Sequence, residues 1–149
     1  MRVWEKNINF AADTEDYQPS ERISPELVNG YHRNTHVRLI HAKEPGPNFR
    51  EDFDRFPILY DGLERVLCPR VHFKMMIFDG KEAYIGSANL TGAGIGMKAD
   101  GTRNFEAGIL TDDPKIVEQA MDQFDEVWMG KHCKTCKRRD FCPDPIMAK

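Results

Sequence analysis

No stretch of this 149-residue chain approaches the roughly 18 apolar residues that a membrane-crossing helix requires. The N-terminus, Met1-Arg2-Val3-Trp4-Glu5-Lys6, lacks the apolar core of a secretory signal peptide. Together these absences point to a cytoplasmic protein. An excess of positive charge is missing too: 21 Lys and Arg stand against 24 Asp and Glu, for a formal net charge of −3. That excludes a protein that coats nucleic acid by bulk charge, but not one with a local basic groove. There is no internal repeat and no low-complexity tract. What remains is the length and composition of one domain, able to bury roughly two-thirds of its unfolded surface.

Residues 1–23 are polar and weakly patterned, with a short alternating stretch at Asn7–Ala12 that reads as a strand. Ser24-Pro25-Glu26 has the cap and first-turn proline of a helix start, and Asn29-Gly30 stops it early. Val37–Ile40 reads as a strand. Residues 49–56 begin a helix that Pro57 ends. The middle of the chain is rich in strands. Val71–Phe78 is β-branched and aromatic, Asp79-Gly80 is a turn signal, Ala83–Ile85 follows, and Phe105–Leu110 forms another strand. Residues 91–103 hold four glycines and no apolar period, which predicts a mobile loop. The clearest helix runs from Pro114 to Met129, capped by Asp112 or Asp113. Its apolar face is Ile116, Val117, Ala120, Met121, Phe124, Val127 and Trp128, with Glu118, Asp122, Asp125 and Glu126 outward. Strands interleaved with helices give an α/β fold, a mixed sheet flanked by helices.

The chemistry concentrates in Val71-His72-Phe73-Lys74. On a strand, His72 and Lys74 share a face about 7 Å apart. Lysine is rarely buried without a partner, so two cationic groups on an apolar strand call for an anion. Taken alone, His-x-Lys also suits a strand whose polar face is simply wet. The next segment decides: a hairpin returns Gly86-Ser87-Ala88-Asn89 toward His72 and Lys74. The small Gly86 and Ala88 admit a ligand close to the backbone, and Ser87 and Asn89 supply neutral hydrogen-bonding groups. The set has the character of a phosphate cradle with a nucleophile in it.

His72-x-Lys74, then Asp79, then Gly86-Ser87-x-Asn89 resembles the HKD motif of the phospholipase D-like superfamily at full spacing. Arg103-Asn104-Phe105-Glu106 is similar to that family's later Asn-x-Glu strand. The resemblance is strong over residues 68–111 and weak over 1–60. It implies a phospholipase D-like domain over residues 1–130 and nucleophilic catalysis in two steps: a histidine attacks phosphorus to form a phosphohistidine, and a second histidine protonates the leaving oxygen and then activates water. The chain has one motif. His41-x-Lys43 runs into Pro45-Gly46-Pro47 without a GSxN sequel and is rejected as a second. The resemblance therefore implies a homodimer, or pairing with another HKD domain, with His72 facing its counterpart across a two-fold axis. Lys74, Asn89 and Ser87 would hold the phosphate oxygens, Arg103 would assist in substrate binding, and Glu106 would fix the His72 tautomer. Asp79 belongs to the motif, but its strand parity suits ordering the Asp-Gly turn. No catalytic metal is needed.

Cys133-x2-Cys136-x5-Cys142 follows the last helix, and Cys68 lies four residues before His72. In a reducing compartment such clusters are more often metal ligands than disulfides. If residues 131–149 fold back onto the domain, Cys68 completes a four-cysteine site. The spacing resembles the iron–sulfur staple of RecB-like nucleases in ligand pattern only, which favours a structural [4Fe–4S] cluster, with zinc as the alternative. Four unrelated thiols are the plain reading. The same segment is basic, through Lys131, His132, Lys134, Lys137, Arg138 and Arg139. It is a solvated tail, a phosphate-backbone contact, or a counter-charge to the thiolates.

Three functions follow. A nuclease acting on DNA or RNA fits the single motif and the basic segment. A lipid phosphodiesterase or transphosphatidylase would want a membrane-facing apolar surface, which is scarce here. A nucleic-acid-processing subunit of a larger assembly would keep the motif without turning over, against which stand intact His72, Lys74 and Asn89.

Overall fold

A computed structural model describes residues 7–12, 36–43, 47–88, 105–143 and 145–146. Among them, six strands form one sheet. In chain order these are β1 (Asn7–Ala12), β2 (His36–His41), β3 (Leu63–Leu67), β4 (Lys74–Phe78), β5 (Glu82–Gly86) and β6 (Gly108–Thr111). The spatial order is β3-β2-β1-β4-β5-β6. β1, β2 and β3 run parallel, and β4 to β6 form an antiparallel meander joined to them at β1. The sheet is mixed and flanked by helices, the expected fold class. The expected helix start at Ser24 and the glycine-rich 91–103 stretch lie outside the described residues.

Alternation sorts the sheet's side chains onto two faces. On one face Ile40, Met75, Ile77 and Ala83 pack with Val117, Ala120 and Phe124 of helix α3 (Pro114–Trp128). On the other, Val37 and Leu63 pack with Phe53 and Leu59. These two come from α1 (Pro47–Arg55) and α2 (Ile58–Gly62), separated where Pro57 interrupts the helical run. α3 starts as expected: Pro114 is at its first turn and the Asp113 side chain accepts from the Lys115 amide at 2.9 Å. Ile116, however, stays 41 % exposed, because the buried seam runs through Val117, Ala120 and Phe124 and leaves 116 at its margin. The helix ends with Gly130 in the left-handed region (φ 68°). The Gly130 amide donates to the Val127 carbonyl and the Lys131 amide to the Glu126 carbonyl, both at 3.0 Å. That is the paired-bond Schellman stop.

Two sequence expectations shift. The strand expected over Val71–Phe78 begins only at Lys74, because residues 68–73 carry the chain from edge strand β3 past β2 and β1 to β4. Pro69 and Arg70 make a turn closed by the Val71 amide on the Cys68 carbonyl (3.0 Å). The strand expected over Phe105–Leu110 is in the ladder only from Gly108 to Thr111. β3 carries no clean alternation in its Leu-Glu-Arg-Val-Leu and is not anticipated. The Asp79-Gly80 turn is as expected, with both residues at positive φ (53° and 65°) and the Lys81 amide closing it on the Phe78 carbonyl at 2.9 Å, inside a three-residue connection between Phe78 and its partner Glu82.

The register places Gly86 opposite both Lys74 and Gly108. A Cβ at Gly86 would collide with the Tyr84 hydroxyl and stand 2.8 Å from the Ala107 carbonyl. One at Gly108 would lie 2.5 Å from the Tyr84 ring. These two glycines therefore exist to let the Tyr84 side chain lie flat across the row. A Gly86→Ala substitution should destabilise the fold by about 1–3 kcal/mol through overpacking, read as a lowered midpoint in denaturant at unchanged slope. An unshifted midpoint would show that the Tyr84 ring is not confined there.

His41 is 3 % exposed at the end of β2. Burial, aided by the Arg65 charge, lowers its pKa to about 3. The fold thus holds the neutral ring, and the unfolded chain takes up the proton first. Stability is complete above the ordinary histidine pKa of 6.5 and is lost as pH falls toward 3. Between pH 7 and pH 5 this one group should cost about 2 kcal/mol. Denaturant titrations at the two pH values should differ by that amount, and the difference should shrink in His41→Leu.

Candidate active site

The sheet presents all its chemistry-bearing termini at one end. The parallel strands finish there, at Ala12, His41 and Leu67. β4 begins there at Lys74, β5 finishes at Gly86 and β6 begins at Gly108. Ligands of open α/β sheets bind outside the carboxyl ends of parallel strands, where a topological switch leaves a crevice. Here the switch is the change from parallel to antiparallel pairing between β1 and β4.

His72 sits two residues before Lys74 on the incoming connection and is exposed. It is not part of the ladder, so the strand parity expected to align it with Lys74 does not apply. The two are coupled instead through the backbone: the half-buried Lys74 Nζ donates to the His72 carbonyl at 3.0 Å. That bond fixes the lysine across the connection that carries the histidine.

Ser87 follows β5 directly. Its amide donates to the Ala107 carbonyl at 2.9 Å, and its Oγ accepts from the Ala107 amide at 3.0 Å. The same hydroxyl donates to Glu106 Oε2 at 2.5 Å, with a longer 3.3 Å contact to the Ala107 carbonyl. The serine side chain thereby replaces a main-chain partner just beyond the end of the β5–β6 ladder, which is why Phe105–Ala107 leave the strand. It also holds the Glu106 carboxylate at the His72 end of the sheet. A hydroxyl bonded to a carboxylate is a strong, charge-assisted contact. Glu106 was expected to bond His72; the contact observed is with Ser87.

Asp79 does not join this group. It occupies the hairpin turn at the far end of β4, some 15 Å away along the five-residue strand, and its left-handed backbone gives it a turn role. Asn89 and Arg103 lie outside the described residues. Tyr84 was missed, although its position two residues before Gly86 on an alternating strand is the signal that places it on the same face.

The cysteines gather elsewhere at the same end. Cys68 follows β3, and its amide donates to the His41 carbonyl at 2.7 Å. It is therefore three strand spacings from β4, although only six residues separate the two strands in sequence. Cys68, Cys133, Cys136 and Cys142 together line one small cavity of about 30 Å³, with Arg70, Arg138 and Arg139 around it. Burial pushes the Cys68 thiol up. The Arg138 amide, followed by the Arg70 side chain, draws the Cys136 thiol down. A larger open cleft of about 410 Å³ adjoins it, lined by Arg70, His132, Thr135, Lys137 and Arg138. Arg70, two residues before His72, belongs to both; sequence reading passed over it because it stands outside the motif.

No curated protein matches this chain, but a family model and solved structures do. Nuc from Salmonella typhimurium, a phospholipase D family member, superposes with a TM-score of 0.59 at 21% identity, covering 82% of this chain and 77% of the other. NucT from Helicobacter pylori gives 0.58 at 18%, covering 80% and 77%. TrmBL2, an archaeal chromatin protein with a novel mode of DNA binding, gives 0.54 at 18%, covering 82% of this chain but 43% of its own. The family model described as "Cardiolipin synthase, PLD-like domain" matches residues 6–128, and with the sheet order and the site at its end, the chain belongs to the phospholipase D-like family.

Proposed function

We propose that the protein is a nuclease that hydrolyses phosphodiester bonds of DNA or RNA through a phosphohistidine. The observation that carries this is the meeting of an exposed His72, Lys74 bound across it, and the Ser87–Glu106 pair at one end of the sheet. A ring nitrogen of His72 attacks phosphorus and the bond to the leaving oxygen breaks. That oxygen takes a proton from His72 of a second copy. The second histidine, now neutral, removes a proton from water, which attacks phosphorus and releases His72. Lys74 balances the charge that builds on the non-bridging oxygens, with Asn89 as the further donor and Arg103 as a further substrate contact. Glu106, steadied by Ser87, orients an imidazole. None of these steps needs a metal, so activity persists in excess EDTA.

A polynucleotide is favoured over a small phosphodiester by the basic cleft of Arg70, His132, Lys137 and Arg138. It would hold neighbouring phosphates while His72 acts on one of them. A lipid substrate is the second reading. It draws on the family model's description and on the exposed Phe105, Ile109 and Leu110 near the β6 edge.

His72→Ala should lower turnover at least about a thousandfold without lowering the melting temperature, because the residue is exposed. Acid quenching with labelled substrate should trap phosphate on the wild-type protein and none on the variant. Turnover per chain should fall on dilution, as the pair of histidines separates. An active His72→Ala protein would sink the mechanism.

Lys137→Ala should weaken polynucleotide binding and lower the slope of log affinity against log salt by about 1. Hydrolysis of phosphatidyl vesicles with no salt-dependent polynucleotide binding would transfer the reading to lipid.

A further inference from the structure

Cys68 aside, the cysteine spacing has a structural cause. The Cys133 amide donates to the Gly130 carbonyl (2.9 Å), Cys136 to Cys133 (3.3 Å), Arg139 to Cys136 (3.3 Å) and Cys142 to Arg139 (3.1 Å). Residues 130–142 are thus a string of turns, each closed three residues on. At three residues per turn, side chains at i and i+3 eclipse one another. Positions 133, 136, 139 and 142 therefore share one side, and that side faces Cys68 in a single cavity. A solvated tail has no reason to keep thiols in that register.

The donor set restricts the ligand. The cavity is lined by four cysteines, three arginines and two prolines, and by no carboxylate. That excludes magnesium and calcium, which take oxygen ligands, and suits a thiophilic centre. None of the four cysteines is in a disulfide. Three guanidiniums surround them, with Arg70 Nη1 donating to Cys136 Sγ at 3.8 Å, the polarity a four-thiolate anion needs. Two centres of that chemistry take four thiolates, a single zinc and a cube of four irons and four sulfides.

We infer that Cys68, Cys133, Cys136 and Cys142 ligate one structural thiophilic metal centre, zinc or a [4Fe–4S] cluster, that fastens the turn string to the end of β3. On ligation each thiol gives up its proton, four metal–sulfur bonds form, and Cys142 exchanges its 3.8 Å contact with the Leu67 carbonyl for the metal. Four protein thiolates leave no open coordination position, which gives the centre a structural role and leaves the proposed chemistry to His72. The metal content is read without any substrate, so this inference and the nuclease reading stand or fall separately.

The test is iron, acid-labile sulfide and zinc analysis of the whole chain, purified anaerobically and again after reconstitution with ferrous iron and sulfide. The expected result is one stoichiometric centre, either about four irons and four sulfides per chain with a brown colour or one zinc. Cys136→Ala should lose most of that metal, while Lys134→Ala, in the same string but away from the cavity lining, should keep it. The absence of both metals with four thiols reacting freely in the folded protein would overturn the site, and so would undiminished metal in Cys136→Ala.

Discussion

Between Leu67, the last residue of β3, and Lys74, the first of β4, the chain has to pass the ends of β2 and β1. Three strand spacings are about 14 Å, and the connection has only residues 68–73 to cover them. Extended, those six would reach about 20 Å, and the turn at Pro69-Arg70, closed by the Val71 amide on the Cys68 carbonyl, takes up the excess. That one crossing sets the order of the functional groups. Cys68 falls at the β3 edge, Arg70 in the open cleft, Val71 into the core at 4 % exposure, and His72 out into solvent beside the start of β4. The parallel strands all finish at the same end, so His72 is delivered where a sheet leaves room for a ligand.

The acidic total charge and the proposed polyanionic substrate are reconciled by where the charges lie. Arg70, Lys137 and Arg138 line the cleft at the sheet's end. No acidic side chain of α3 lines that cleft. Glu126 stands beside it and is engaged: Lys131 Nζ donates to its Oε1, and His132 Nε2 lies 3.1 Å from its Oε2. Both contacts hold its carboxyl below the usual range. This clamp sits where α3 ends, so it steers the first residues of the basic segment as they leave the helix.

Much of this was legible in the sequence because the signals were local. Pro114 with Asp113 gave α3 its start, Asp79-Gly80 its turn, and the alternation of Asn7–Ala12 its strand. His72, Lys74, Gly86 and Ser87 were legible as neighbours because fixed spacing and a tight hairpin bring them to one end of the sheet whatever the rest of the chain does. What escaped was non-local. β3 is an edge strand paired on one side only, and Leu-Glu-Arg-Val-Leu has no pattern to betray it. The crossing that starts β4 at Lys74 instead of Val71 follows from strand order, which no window of residues encodes. The position of Cys68 at the far edge, with β2 and β1 between it and β4, has the same cause.

The crossing is held by different means along its length, and this bears on how the two sites communicate. At its near end Lys74 bonds back to the His72 carbonyl, and the Ser87–Glu106 pair is locked to Ala107 by main-chain and side-chain bonds. At its far end Cys68 is tied to His41 through its amide and faces the other thiols through its sulfur. Between them Val71 sits in the same core cluster as Ile40, Ile77 and Phe124. Protein cores are close-packed and transmit strain rather than absorb it, so Val71 couples the cysteine end of the crossing to the His72 end. Loosening the cysteine segment therefore acts on stability and on the Arg70 side of the cleft, and reaches the histidine through the same six-residue crossing.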